Sequence, residues 1–164
     1  MTAPVVVFAV GNPSRGDDAI GPALFEHLLV WLDREGLAQG FELIEDFQLQ
    51  IEHVLDLRGR QLALFIDAGE GTPAPFSFRR VLPSSGIAYT THELPPEAVL
   101  QVFRQTEGSE PPPSFVLCVR GEGFELGEPL SEAAQQRVEQ AVILLQDLCR
   151  DIRKEAWLAR VTDA

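Results

Sequence analysis

A stretch near the start of the chain decides the fold: VVVFAVGNPSRGDDAIG, residues 5–21. Its first six residues are all apolar, which is typical of a strand buried on both faces, as in a parallel sheet. The Gly-Asn-Pro that follows is a turn signal. From Ala19 to Arg34 apolar residues recur at helical spacing. The stretch therefore predicts a strand, a loop and a helix in succession.

The same alternation continues along the chain. Apolar runs predict further strands, and helical spacing predicts further helices. The strands are expected at residues 41–44, 62–66, 76–82 and 114–119, and the helices at 49–57, 97–105 and 131–157. This order predicts an α/β fold: one domain over residues 1–164, a three-layer sandwich with a mostly parallel sheet between helices. Residues 158–164 are expected to form a frayed tail.

Charge and composition limit the possible partners. The 164 residues include 25 acidic and 13 basic ones, a formal net charge of −12. Such a surface repels phosphate backbones, which argues against nucleic-acid binding, and it permits attraction to a basic protein. No apolar run approaches the roughly 18 residues of a membrane span, and the amino end lacks the basic region of a signal peptide. We therefore expect a cytoplasmic protein without membrane contact. A single compact domain favours a monomer, and Cys118 and Cys149 are expected to be free thiols.

Acidic residues follow two of the predicted buried strands. Asp17 and Asp18 lie in the loop after the first strand, and Asp67 follows the run at 62–66. In open parallel sheets, sites form outside the carboxyl ends of the strands. A carboxylate there must be paired, hydrogen-bonded or placed in a cleft. Simpler roles are a helix cap for Asp17 and an Asx-type turn for Asp67.

Histidine would complete a metal site. His92 precedes a helix opened by Pro95 and Pro96, and a loop histidine of this kind is more often a surface or capping residue than a ligand. Two carboxylates and one imidazole at one sheet edge would nevertheless suit a divalent transition metal. The other two histidines, His27 and His53, are expected on helix surfaces.

The ordered motifs carry a resemblance to a known family. VGN at residues 10–12, DDAIG at 17–21, IDA at 66–68 and then His92 resemble the [NiFe]-hydrogenase maturation proteases. That family has the pattern Gly-Asn-x4-Asp-[Glu/Asp]-x-[Ile/Leu/Val]-Gly, a strand ending in Asp-Ala and a downstream His. The resemblance extends in order from Val5 to the last helix.

The resemblance implies a function and a set of ligands. Asp18, Asp67 and His92 would bind nickel. The chain would act as an endopeptidase that removes the C-terminal extension of a [NiFe]-hydrogenase large-subunit precursor once nickel has been inserted. The precursor would supply the nickel, so the metal is recognised in the substrate and is not a permanent cofactor.

One segment departs from the commonest family pattern. Many members have Asp-Gly-Gly-Thr after the second strand, whereas this chain has IEDFQL at residues 44–49. Together with RGEGFELG at 120–127, this variant resembles the subgroup that serves soluble, NAD(P)-linked bidirectional hydrogenases. Asp46 matches the family's acidic position best, but Glu45 is one register away, and the roles of both stay open.

The catalytic chemistry and the alternatives follow from what the sequence contains. It shows no Ser/His or Cys/His dyad, so Asp18 and Asp67 are the candidates for catalytic proton transfer. Alternative functions are a noncatalytic binding scaffold and a receiver-like, metal-binding signalling module. A receiver needs a lysine after its last strand, and Lys154 lies in the last predicted helix. A peptidyl-tRNA hydrolase shares Gly-Asn-Pro but needs a basic surface.

Overall fold

The structure is a computed structural model that describes residues 2–84 and 94–162. This part of the chain contains five strands and four α-helices. The strands are β1 Val5–Val10, β2 Phe41–Asp46, β3 Leu62–Gly69, β4 Phe76–Val81 and β5 Ser114–Arg120. The helices are α1 Ile20–Arg34, α2 Pro96–Glu107, α3 Glu132–Arg150 and α4 Lys154–Leu158, with a 3₁₀ turn at Gly16–Ala19 and a 3₁₀ helix at Ile51–Leu57.

The strands form one sheet in the order β2-β1-β3-β5-β4. All neighbours are parallel except β4, which runs antiparallel to β5. The structure thus confirms the predicted α/β domain with a mostly parallel sheet. Within residues 2–84 and 94–162, no helix combines the length and the apolar character of a membrane span.

Helices cover both faces of the sheet, which explains why the central strands are continuous apolar runs. All six residues of β1 are buried. One face packs against α1, α3 and α4, and we refer to it as the α1 face. The other packs against α2 and the 3₁₀ helix Ile51–Leu57, and we refer to it as the α2 face. Because side chains alternate along a strand, Phe8, Val10 and Phe65 share the α2 face.

Three strands continue beyond their predicted ends. β2 extends to Asp46, β3 to Gly69 and β5 to Arg120, so Asp67 lies within β3 and not directly after it. The reason is that Asp67, Ala68 and Gly69 keep their pairing with β5, opposite Cys118, Val119 and Arg120. The polar side chain was expected to mark the end of the strand, whereas neighbour pairing determines where it ends.

The long helix predicted for residues 131–157 is two helices. Ser131 caps α3 by accepting a hydrogen bond from the Ala134 N–H, as expected, but α3 ends at Arg150. The Asp151 carboxylate accepts hydrogen bonds from the backbone and the guanidinium of Arg153. The indole N–H of Trp157 donates to the carbonyls of Leu148 and Asp151, both at 2.9 Å. The indole bonds stabilise the break, since they satisfy carbonyls that a helix end leaves unpaired.

The tail is docked up to Thr162, in contrast to the frayed segment expected for residues 158–164. The Thr162 N–H donates to the Phe78 carbonyl at 2.8 Å, and the Phe78 N–H donates to the Thr162 hydroxyl at 2.9 Å. Val161 packs against the core on the α1 face. The tail therefore occupies part of the outer edge of β4, where an open strand would invite pairing with another chain.

Trp157 holds the carboxyl-terminal part of the chain in place. It is 1% exposed, and its ring meets Phe115 edge to face, with centroids 5.4 Å apart. We expect Trp157→Ala to lower the free energy of unfolding by about 3–5 kcal/mol. Trp157→Phe keeps most of the packing and should lose less. Urea unfolding measures both variants, and an Ala variant within about 1 kcal/mol of wild type would contradict this role.

Candidate active site

A cavity opens on the α2 face at the carboxyl ends of the central strands. Its volume is about 610 Å³, within the range of small-molecule and cofactor pockets. Most of its wall is apolar, and a few polar side chains from β3, β4 and β5 project into it. Its lining includes Val10, Leu49, Phe65, Leu94, Pro95, Pro96 and Val116, with Asp67, Thr72, Ser77, Arg79 and Cys118 as polar members.

Asp67 lies on the wall of this cavity. Its Cα is paired with that of Cys118 on β5, and alternation along β3 places its side chain on the α2 face with Phe65. The Asp67 Oδ1 atom accepts a hydrogen bond from the Ala68 N–H at 2.8 Å. This contact reaches only the next residue and lies within β3, so it is not the predicted Asx-type turn, which bonds the N–H two residues on. It holds a half-buried carboxylate on the cavity wall.

Asp18 lies in the loop that leaves the neighbouring strand. Its Oδ2 atom accepts a hydrogen bond from the Asn12 N–H at 2.7 Å. Gly11 has a φ of +151°, and a Cβ at that position would overlap the Asp18 carbonyl oxygen. Gly21 packs equally closely on the Val10 carbonyl. These close approaches explain the glycines of the motif, since they hold the Asp18 loop against the end of β1.

Asp17 has a structural role that differs from the predicted helix cap. It is fully buried, and it accepts hydrogen bonds from the Glu122 N–H at 2.6 Å, from the Gly123 N–H at 3.4 Å, and from the N–H and hydroxyl of Ser131, both at 2.7 Å. It therefore does not cap its own helix. It joins the loop after β1 to the loop after β5 and to the start of α3.

The environment of Asp17 favours the charged carboxylate. Burial by itself raises the pKa of Asp17, but the hydrogen bonds from Ser131, Glu122 and Gly123 outweigh it and lower the pKa below the ordinary 3.8. Hydrogen bonds from several backbone N–H groups stabilise an ionised carboxylate in this way. The adjacent acidic residues of the motif thus have separate environments: Asp17 is internal and Asp18 lies at the sheet edge.

This lowered pKa makes stability depend on pH. Because the pKa of Asp17 is lower in the folded state, its contribution is present above the unfolded value of about 3.9 and is lost as the pH falls through the folded value. We expect the difference in unfolding free energy between wild type and Asp17→Asn to be largest above about pH 5 and to shrink below about pH 4. Urea unfolding at a series of pH values measures it; a difference that stays constant down to pH 3 would contradict this account.

Cys118 faces the cavity but has the properties of a weak nucleophile. Burial raises the pKa of its thiol, the hydrogen bond with Thr72 lowers it, the charge of Asp67 raises it and that of Arg79 lowers it, with a net increase. Its Sγ atom lies 3.2 Å from the Thr72 hydroxyl. Burial also raises the pKa of Cys149 to about 12. Both thiols are protonated near neutral pH.

His53 is buried, and the prediction of a helix-surface position was wrong. It is 5% exposed, and its Nδ1 atom accepts a hydrogen bond from the Gln50 N–H at 2.8 Å. The Nε2 atom lies 3.4 Å from the Asp46 Oδ2 atom. Alternation places Asp46 on the α2 face with Ile44, whereas Glu45 is exposed on the opposite side. Of the two acidic residues, Asp46 is therefore the one on the same face as Asp67.

The third predicted ligand, His92, lies outside the described residues. The described chain resumes at Leu94, which lines the cavity. Within residues 2–84 and 94–162, no three His, Cys, Asp or Glu side chains are grouped so that they could hold a metal ion. Of the three predicted ligands, the structure therefore describes Asp18 and Asp67. Asp18 follows β1, and Asp67 lies in the adjacent strand β3.

Comparison with solved structures shows which proteins share this architecture. The [NiFe] hydrogenase maturation protease HycI from Thermococcus kodakarensis KOD1 is 24% identical, with a TM-score of 0.66 over 92% of this chain and 94% of that one. The hydrogenase maturating endopeptidase HybD from E. coli is 22% identical, with a TM-score of 0.67 over 89% and 91%. A hydrogenase 2 maturation peptidase from a Thaumarchaeota archaeon is 22% identical, with a TM-score of 0.58 over 86% and 94%.

Comparison by sequence is less informative. No family model matches the sequence, and no curated protein matches it. The structural likeness extends over nearly the full length of this chain and of each solved structure, so it concerns the whole domain and not a shared substructure. The chain therefore has the fold of the hydrogenase maturation proteases.

Proposed function

We propose that this chain is an endopeptidase that removes the C-terminal extension of a [NiFe]-hydrogenase large-subunit precursor after nickel insertion. One observation carries the proposal most directly. In a chain with the maturation-protease fold over 92% of its length, Asp67 lies on the wall of a cavity at the carboxyl edge of the sheet. Active sites of open α/β sheets are found at this edge.

The proposed nickel ligands are Asp18, Asp67 and His92. Carboxylate oxygens and an imidazole nitrogen form a donor set suited to a divalent transition metal. Asp18 lies in the loop after β1 and Asp67 lies in the neighbouring strand β3, and His92 precedes the cavity residue Leu94 by two positions. Nickel would arrive within the precursor as part of the substrate, so the protein would recognise the metal without retaining it.

The proposed cleavage relies on carboxylates. Nickel held by the precursor supplies a Lewis acid near the scissile carbonyl or a water. Asp18 or Asp67 accepts a proton from that water and delivers it to the leaving amine. The apolar wall around Asp67 limits access of bulk water to the bound peptide. Cys118 is not the nucleophile in this scheme, because its thiol has a raised pKa.

The proposed partner is the large-subunit precursor of one class of hydrogenase. From the variant at residues 44–49 together with residues 120–127, we propose that the chain belongs to the subgroup that serves soluble, NAD(P)-linked bidirectional hydrogenases. A net charge of −12 would assist encounter with a basic surface on the precursor. We further propose that the protein acts as a monomer in the cytoplasm.

Two other functions can be weighed against this one. A receiver-like module would have the parallel strand order 2-1-3-4-5, whereas here β4 is antiparallel and lies outside β5. That difference disfavours a receiver. A noncatalytic scaffold would bind the nickel-loaded precursor through the same surface but leave its peptide bonds intact.

A processing assay separates the protease from the scaffold. Purified nickel-loaded precursor is incubated with a tenth as much of this protein, and the precursor's mobility on a denaturing gel is followed over time. A protease converts the whole population to a shorter species, because one molecule acts repeatedly. A scaffold comigrates with the precursor on a sizing column and never changes its length, and that result would overturn the proposal.

A further inference from the structure

The cavity beside Asp67 has two chemically different ends. Asp67 on β3 provides negative charge, and Arg79 on β4, two strands across the sheet, provides positive charge. Phe65, two residues before Asp67 on β3, and Val116, opposite Arg79 on β5, supply apolar wall beside them. Among the described residues that line the cavity, Arg79 is the one with a positive charge. In a protein with a net charge of −12, a cation in this position is a distinctive feature of the cavity.

Sheet register gives the separation of the two ends. Asp67 pairs with Cys118, whereas Arg79 pairs with Val116, which in turn pairs with Phe65. Arg79 is therefore two strands across from Asp67 and two residues back along the sheet. With strands about 4.8 Å apart and a rise of about 3.4 Å per residue, the two Cα atoms lie roughly 12 Å apart. An extended peptide covers that distance in about three or four residues.

Arg79 is available to a new partner. Its guanidinium lies 3.6 Å from the Glu97 carboxylate, and 48% of its side chain is exposed. A pair at that distance and exposure contributes little to stability. The Glu97 carboxylate also shows the type of group with which this guanidinium pairs. A carboxylate from a bound peptide can replace it and make a closer, charge-assisted contact.

We propose that this cavity is a substrate-specificity subsite for an extended peptide. The peptide places an apolar side chain against the wall of Phe65 and Val116. An acidic side chain, three or four residues from the backbone carbonyl that lies beside Asp67, binds Arg79. The inference deepens the proposed function and rests on it, because it names the substrate segment that the same site accepts. Arg79 is thus a specificity-determining residue and not a catalytic one.

The chain offers a matched control in Arg80. It is the next residue on β4 and is also exposed, but alternation directs its side chain to the opposite face of the sheet. Arg79→Gln and Arg80→Gln remove the same charge from the same strand. Long-range electrostatic effects therefore change by a similar amount in the two variants, whereas Arg79→Gln also removes the guanidinium from the cavity together with its pair to Glu97.

Binding of short peptides tests the proposal without any cleavage. The probes are fluorescein-labelled hexapeptides with a C-terminal amide: Ala-Leu-Ala-Ala-Glu-Ala and versions with Gln for Glu or Ser for Leu. By fluorescence anisotropy, wild type should bind the Glu peptide about fivefold more tightly than the Gln peptide. Replacing Leu by Ser should weaken binding at least about tenfold. Arg79→Gln should lose the preference for Glu, and Arg80→Gln should retain it.

Contrary results are equally clear. Equal affinity of wild type for the Glu and Gln peptides, no detectable binding of any peptide, or equal loss in the two arginine variants would overturn the subsite. The precursor assay fails or succeeds separately. Peptide discrimination without precursor trimming would overturn the protease proposal and keep the subsite. Trimming without discrimination would do the reverse.

Discussion

Asp67→Asn is expected to abolish processing of the precursor while the fold stays intact. The amide oxygen can still accept the hydrogen bond from the Ala68 N–H, and the side-chain volume hardly changes. It has no charge to offer a metal ion, however, and it cannot accept a proton at neutral pH. Loss of a positioned acid–base group typically lowers the rate by about 10²–10⁴-fold. A time course of precursor cleavage on a gel measures the effect.

The control for this variant is Asp33→Asn. Asp33 is exposed on α1, on the opposite face of the sheet from the cavity, and it loses the same charge. It should process the precursor at the wild-type rate. Urea unfolding should place Asp67→Asn within about 1 kcal/mol of wild type. If folded Asp67→Asn trims the precursor as fast as wild type, Asp67 has no part in catalysis.

Asp17→Ala is expected to cause the largest loss of stability among single changes near the site. It leaves the N–H groups of Glu122, Gly123 and Ser131 without their acceptor. Hydrogen bonds to a charged group are worth about 1.5–3 kcal/mol each but are not additive. We expect the free energy of unfolding to fall by about 3–5 kcal/mol, measured by urea denaturation. The loops after β1 and β5 keep their backbone hydrogen bonds, such as Asp17 N–H to the Gly123 carbonyl at 2.7 Å, so they should loosen without separating.

The neighbouring residue provides the comparison for Asp17. Asp18→Asn removes the same charge one position along the chain, and its amide oxygen can still accept the Asn12 N–H. It should unfold within about 1 kcal/mol of wild type but lose processing. If Asp17→Ala were as stable as wild type, the hydrogen bonds of Asp17 would not join the two loops as described. The pair therefore separates a structural carboxylate from a proposed catalytic one.

The central strands could be predicted because burial on both faces leaves a simple pattern. Val5–Val10, Leu62–Gly69 and Ser114–Arg120 contain runs of apolar residues that few other environments tolerate. Because these strands alternate along the chain with segments of helical spacing, the α/β fold class could be predicted. Because sites of parallel sheets form at the carboxyl ends of the strands, the loop after β1 and Asp67 could be predicted as site positions.

Tertiary contacts determined the features that the sequence did not reveal. Arg150 ends α3 because Trp157 turns back to bind the Leu148 and Asp151 carbonyls, and the apolar periodicity continues across that break. His53 is buried with one ring nitrogen bonded by the Gln50 N–H and the other 3.4 Å from the Asp46 carboxylate. Neither contact has a signal in local composition. A buried histidine beside a strand-end acid could have been suspected only with the strand register in hand.

The composition of the cavity was also beyond local reasoning. Arg79 meets the α2 face only because β4 runs antiparallel to β5 with this particular register. Cys118 was expected inside a buried strand, yet its side chain is half-buried and lines the cavity. A single sequence carries little information on register between strands distant along the chain. Asp67 could be singled out because an acidic residue follows an apolar run, but its cavity neighbours could not.

Mass spectrometry of the precursor tests the central claim most directly. Two samples of hydrogenase large-subunit precursor, one loaded with nickel and one free of it, are incubated with this protein and their intact masses are compared. The account predicts loss of the C-terminal extension in the nickel-loaded sample and an unchanged mass in the nickel-free one. Equal trimming of both samples would remove nickel from the recognition, and an unchanged mass in both would contradict the proposed protease.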